Sequence, residues 1–165
     1  MKIVVSAIVI MSIAVMAGTL YFVYGPLSYS PNLDFALQLN VRLNIVVGNA
    51  TALVPSGIGV QSSMWVYHGL DQYGKNGRAP MFTVDNYGVV WVASSVVRNY
   101  TLGEFFQIWG KTFDGNCVQV GSHFYCKTDG ILTMSVNGKP NYQYDRYVLQ
   151  NQDDILIDFL PANPA

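Results

Sequence analysis

Thr101-Leu102-Gly103-Glu104-Phe105-Phe106-Gln107-Ile108-Trp109-Gly110 decides the fold class, because it is the one helix signal in a chain otherwise patterned for strands. Thr101 suits an N-cap and Glu104 stands three residues on. This is the capping-box spacing, in which each side chain bonds the other residue's backbone N–H. Leu102, Phe105, Phe106 and Trp109 fall at i, i+3, i+4 and i+7, which makes one apolar stripe, and Gly110 supplies the stop. A single short helix cannot bury such a stripe by itself, so it must lie on a sheet.

The sheet is legible on both sides of it. Upstream, Leu37, Leu39, Val41, Leu43, Ile45 and Val47 alternate with mostly polar neighbours, a period of two with one wet face. Gly48-Asn49 turns this strand into a short return over Ala50 to Val54, forming a hairpin. Residues 58 to 80 are broken by glycines and Pro80, and only Met64-Trp65-Val66-Tyr67 has strand character there. Met81 to Val84, the turn Asp85 to Gly88, and Val89 to Ala93 read as a second hairpin. Downstream, Cys117 and Cys126 bracket a symmetric hairpin centred on Gly121-Ser122, a spacing that suits a cross-strand disulfide. Closing that loop stabilises by roughly 2.5–3 kcal/mol in the chain-entropy treatment. Ile131 to Val136, the turn Asn137 to Pro140, Tyr147-Val148-Leu149, and Ile155 to Phe159 complete the strand signals.

The chain has 165 residues, 51% apolar and 12% charged, with a net charge of −1, so it folds and has no basic surface for a nucleic acid. From Ile3 to Tyr24 no residue is charged, and a helix of that length, roughly 33 Å, spans a hydrocarbon core of about 30 Å. Residues 1–24 read as a transmembrane anchor. The rival is a cleaved signal peptide ending near Val15-Met16-Ala17, but the apolar run exceeds an ordinary h-region of about 7–15 residues. Lys2 is the only charge before Asp34, which leaves the N-terminus in the cytoplasm and the rest of the chain outside. Residues 25–32, with Pro26 and Pro31, form a tether. An extracytoplasmic domain then covers 33–160, and 161–165 is a tail. Without Lys2 the remainder carries eight basic and ten acidic residues, a net of −2.

The order hairpin, helix, strand, Val136-Asn137-Gly138-Lys139, then Val148-Leu149-Gln150-Asn151-Gln152-Asp153-Asp154-Ile155 resembles the β-grasp (ubiquitin-like) fold over about 37–60 and 100–160. It implies an α+β domain: a β-grasp-like mixed sheet with one capped helix and inserted β-hairpins. The diglycine tail of ubiquitin and the sulfur carriers is missing, so a modifier role is not implied. Val54-Pro55-Ser56-Gly57-Ile58-Gly59-Val60, Met81 to Ala93 and Tyr100 to Gly110 are similar to an uncharacterised family of archaeal and bacterial membrane-anchored proteins. Its members read roughly V-P-A-x-I-G, L-H-T-H-D-x-S-G-I-I-H and F-T-L-G-x-F-F-x-I-W-G. Where that pattern has histidines this chain has Phe82, Val84 and Trp91, and only Asp85 is kept. Phe and Val offer no lone pair, so no transition-metal site is expected there; if the relatives' histidines bind metal, these side chains are expected to fill that volume as packed hydrophobics while Asp85 serves the turn.

The chemistry-bearing residues are few. His68, with Asp71 as its nearest helper, is the one weak metal or proton-transfer candidate, and two ligands make a poor metal site. His123 falls at a hairpin tip. Asp153 and Asp154 are adjacent, so on a strand they point to opposite faces, and they read as turn residues. The cysteines are too far apart for C-x-x-C chemistry and read as a structural bridge. Asn49-Ala50-Thr51 and Asn99-Tyr100-Thr101 are sequons in expected loops, marking Asn49 and Asn99 as glycan acceptors. Trp65, Tyr67, Tyr73, Tyr142 and Tyr144 exceed the needs of one small core and are candidates for a partner surface.

These features imply a non-catalytic accessory or structural subunit of a membrane or cell-surface assembly. Its partners would be the lipid bilayer and other protein subunits, met through the anchor and the aromatic surface, and no cofactor is expected. A secreted filament (pilin-like) or surface-layer component is the alternative. A metal or redox accessory protein is the third.

Overall fold

The computed structural model describes residues 35–162, all within the compact unit Asp34–Ala165. The expected anchor 1–24, the tether 25–32 and residues 163–165 of the tail lie outside the described residues.

The fold is mixed α+β. Strand β1 (Leu37–Val47) is the longest, and the alternation that marks it in the sequence reappears as burial of Val41, Leu43 and Ile45. Gly48 and Asn49 turn it into β2 (Ala50–Ala52), which pairs Ile45 with Ala52. Strands β3 (Met81–Thr83) and β4 (Val89–Ser94) form the second hairpin, and β4 runs antiparallel to the first half of β1, from Leu37↔Ser94 to Arg42↔Val89. One edge of β1 is therefore shared: β4 takes its first half and β2 its second.

Helix α1 (Leu102–Trp109) buries Leu102, Phe105, Phe106, Ile108 and Trp109. At its start the Glu104 N–H donates to Thr101 Oγ1 at 3.3 Å while the Thr101 N–H donates to Glu104 Oε2 at 2.9 Å, the complete capping box. At its end Gly110 has φ 71° and donates to the Gln107 carbonyl. That left-handed geometry is one a side chain adopts only with strain.

After the helix, β5 (Cys117–Val120) and β6 (His123–Cys126) make a separate two-stranded ribbon, bound to the core by Val118 and by Tyr125 against the Phe159 ring. Strands β7 (Gly130–Val136), β8 (Lys139–Pro140) and β9 (Asp154–Pro161) return to the main sheet. Its order is β3-β4-β1-β9-β7-β8, with β2 beside β1. β9 pairs parallel with the second half of β1 and antiparallel with β7. Registers align the buried side chains in rows, Val136–Ile155–Leu43 and Met134–Ile157–Ile45, on the side that shares one buried cluster with the helix stripe. Burying each such side chain stabilises by about 1.5–3 kcal/mol.

Three sequence expectations are corrected. Met64 to Tyr67 is not a strand: a 3-10 turn spans Ser62–Met64, and the next residues dock individually, the Val66 N–H donating to the Ile108 carbonyl at the helix end. Tyr147 to Leu149 is not a strand either. A 3-10 turn (Tyr144–Arg146) precedes it, and it meets Thr101 through the single bridge at Val148. Finally, Phe82 is buried beneath the Arg78 guanidinium, but Val84 and Trp91 are exposed and do not pack as expected. Trp91 sits opposite Phe82 and Asn40 on the sheet side away from the Val41, Val90 and Val92 core. Asp85 does serve its turn, accepting from the Tyr87 N–H at 3.0 Å.

Candidate functional site

The loop carrying His68 folds back through Asp71, at the start of the 3-10 turn Asp71–Tyr73. His68 Nδ1 lies 2.8 Å from Asp71 Oδ2, and Trp65 Nε1–H donates to the other carboxylate oxygen at 3.1 Å. The Trp65 and His68 rings lie 5.2 Å apart. The carboxylate thus ties both rings, and the His68 side chain is 61% exposed. Such a pair orients an imidazole as a proton acceptor or a single metal ligand. Among the described residues no group of three His, Cys, Asp or Glu side chains is placed to hold a metal.

Cys117 and Cys126 are bonded across the β5–β6 ribbon as directly opposed residues, with Cα atoms 4.1 Å apart. Asp114 organises the entry to the ribbon by accepting from the N–H groups of Asn116 and Cys117. His123 is exposed beside the Gly121-Ser122 turn. Asn49, in the β1–β2 turn, and Asn99, before the helix cap, are both exposed.

The five aromatic candidates divide. Tyr142 is 78% exposed and Tyr67 is exposed at 41%. Trp65, Tyr73 and Tyr144 are half-buried against the core, with Tyr144 packed on Phe113 and covered by the Lys127 ammonium at 4.7 Å. Tyr142 and Tyr144 line a surface groove with Met134 and Pro140.

Two polar constellations have no counterpart in the sequence reading. In the first, Arg98 pairs with Glu104 and lies over the rings of Tyr100, at 4.6 Å, and Tyr73, at 5.3 Å. Burial opposes the Arg98 charge, but the Glu104 carboxylate outweighs it and raises the guanidinium pKa. Burial likewise pushes the Tyr100 phenol up, against the lowering effect of its 2.6 Å bond to Ser94.

The second centres on Asp153, 5% exposed. Its Oδ1 accepts from the Asn137 amide at 3.0 Å; its Oδ2 accepts from the Tyr147 hydroxyl and the Gln150 N–H, both at 2.8 Å. The Asp153 carbonyl also accepts from the Arg42 N–H, so the residue joins the start of β9 to β1. Burial, followed by the bond to Asp153 and its charge, pushes the Tyr147 phenol up to about 12. Asp154, by contrast, is exposed, as adjacent strand residues require.

Fold and site together define a mixed α+β domain clamped by a disulfide, a capped helix and a buried carboxylate. Comparison with protein-family models, curated proteins and solved structures returns no match. Among the described residues no helix is long and apolar enough to cross a membrane.

Proposed function

We propose that this chain is a non-catalytic accessory or structural subunit of a membrane or cell-surface assembly, holding a β-grasp-like domain outside the cell on a single N-terminal anchor. The observation that carries the reading is the exposure of Tyr142, 78%, at the rim of a groove shared with Tyr144, Met134 and Pro140. A large aromatic ring held in water beside an apolar groove is the kind of side chain a protein interface buries. Sheet order supports the finer fold. A hairpin, a helix and a closing strand that lies parallel to the first, between β1 and β7, follow the β-grasp arrangement. The ribbon β5–β6 and the hairpin β3–β4 are then its insertions.

The disulfide between Cys117 and Cys126 suits an oxidising, extracytoplasmic location. Exposed Asn49 and Asn99 would carry glycans there. Kinship with the membrane-anchored family described above belongs to the same proposal.

Native membranes extracted in mild detergent test it. The chain should sediment with membranes and purify with stoichiometric partner subunits, and Tyr142→Ser should release them without changing the stability of the domain. A chain that elutes alone from the detergent extract, or that appears in the medium cut after Ala17, would replace this reading with the filament or surface-layer one.

A further inference from the structure

The sequence contains two Asn-Gly pairs in described turns, Asn76-Gly77 and Asn137-Gly138, and the fold treats them differently. Their φ angles match: Asn76 and Gly77 have φ of 58° and 69°, Asn137 and Gly138 of 53° and 74°. All four residues are exposed. Space does not separate them either, since nothing lies within 4 Å of a Cβ placed on Gly77 or on Gly138.

Only the carboxamides differ. The Asn137 amide is held at both ends: its Nδ2 donates to Asp153 Oδ1 at 3.0 Å and its Oδ1 accepts from the Asp154 N–H at 2.9 Å. Asn76 makes no side-chain hydrogen bond among the described residues.

We propose that Asn76 is a site of spontaneous, fold-selected deamidation, and that Asn137 is protected from it. In the reaction the backbone nitrogen of Gly77 attacks Cγ of Asn76. A new C–N bond closes a five-membered succinimide, the Cγ–Nδ2 bond breaks, and ammonia leaves with the proton of the Gly77 N–H. Water then opens either carbonyl of the ring, giving aspartate or isoaspartate, so no reagent other than water is consumed. The attack requires the carboxamide carbon to swing onto the next backbone nitrogen. Glycine permits this because it has no side chain to block the approach and its backbone is the least restricted. At Asn137 the same swing must first break two hydrogen bonds, one to the first residue of β9 and one to the buried carboxylate just before it.

The product changes the loop. A carboxylate at residue 76 stands between Lys75 and Arg78, whose cations lie over Phe35 at 5.9 Å and Phe82 at 4.7 Å, and it takes the chain's net charge from −1 to −2. The isoaspartate form also adds a methylene to a turn closed by the Arg78 N–H on the Lys75 carbonyl at 3.2 Å.

Peptide mapping by mass spectrometry, over a time course in mildly alkaline buffer, tests this on the purified full chain. The Asn76 peptide should convert to two chromatographically separate acidic products, one of them a substrate for an isoaspartyl methyltransferase. The Asn137 peptide should convert about tenfold more slowly or less, the ratio that about 1.4 kcal/mol of restraint produces. In denaturant the two should react at similar rates. Equal rates in the folded chain, no conversion at Asn76, or the same preference for Asn76 in denaturant would each overturn the proposal.

Discussion

The Asn137 amide and the Asp153 carboxylate meet at 3.0 Å, which ties the β7–β8 turn to the first residues of β9. Asn137 also accepts from Asp154, and Asp153 also receives Tyr147 and Gln150. Two stretches of chain, the β7–β8 turn and residues 147–154, thus close on one side-chain pair. Asp153→Ala should cost about 2–4 kcal/mol, because three donors lose their acceptor at a buried position. Asn137→Ala should cost about 1–2 kcal/mol. Urea denaturation of both variants and of the double variant checks this. A coupling energy below about 0.5 kcal/mol would mean the pair does not act as a unit.

Tyr147 makes that cluster pH-dependent at the alkaline end. Its pKa rises to about 12 in the folded chain, through burial first and the Asp153 contact second, against about 10 in the unfolded chain. Between those values the folded state holds the proton that the unfolded state has lost. This contribution to stability is therefore complete below about pH 10 and disappears as pH climbs through about 12. Thermal melts across that window should fall more steeply for the natural chain than for Tyr147→Phe. Parallel curves would show that folding does not raise the phenol's pKa.

The capping box at Thr101 and Glu104 predicts a loss of about 1 kcal/mol for Thr101→Ala, read as a lower urea midpoint at unchanged m value. Thr101→Ser keeps the hydroxyl as well as the Asn99 sequon and should lose little. Equal losses from both substitutions would assign the effect to the packing of the threonine methyl rather than to the cap.

Replacing Cys117 and Cys126 together with serine should lower stability by roughly 2.5–3 kcal/mol, largely by freeing the unfolded chain. The m value should rise, since the unbridged unfolded state exposes more surface. A loss with no change in m would point instead to damaged packing where the ribbon meets Phe159.

The regular elements were legible because their periods are strong. The alternation from Leu37 to Val47, the helix stripe and its cap, the Met81 to Ala93 hairpin and the symmetric cysteine ribbon all stand in the structure. Period says nothing about neighbours, however, and so the sharing of one β1 edge between β4 and β2 could not be read. Met64 to Tyr67 and Tyr147 to Leu149 misled for a different reason: both are short apolar runs whose backbone bonds go to the helix and its flanks instead of to a neighbouring strand, at Ile108 for one and at Tyr100, Thr101 and Leu102 for the other. For Asp153 the sequence carried only the paired aspartates and the Asn-Gly turn. Their opposite pointing was foreseeable, but which carboxylate is buried depends on the registry of β9 with β1. The partner of His68 was legible from its three-residue spacing to Asp71. The Arg98–Glu104 pair was hidden because the cap alone accounts for a glutamate at that position, whereas its two carboxylate oxygens serve both roles.

The first and last strands of the domain run side by side in the same direction, Arg42 beside Asp154 and Val47 beside Phe159. Parallel neighbours place the entry of β1 and the exit of β9 at opposite ends of the sheet. Tension applied between the two ends of the domain therefore loads the β1–β9 hydrogen bonds lengthwise and together, as a lap joint is loaded, instead of peeling them one at a time. A domain wired this way resists being drawn out along its own axis and yields only when the whole seam slips.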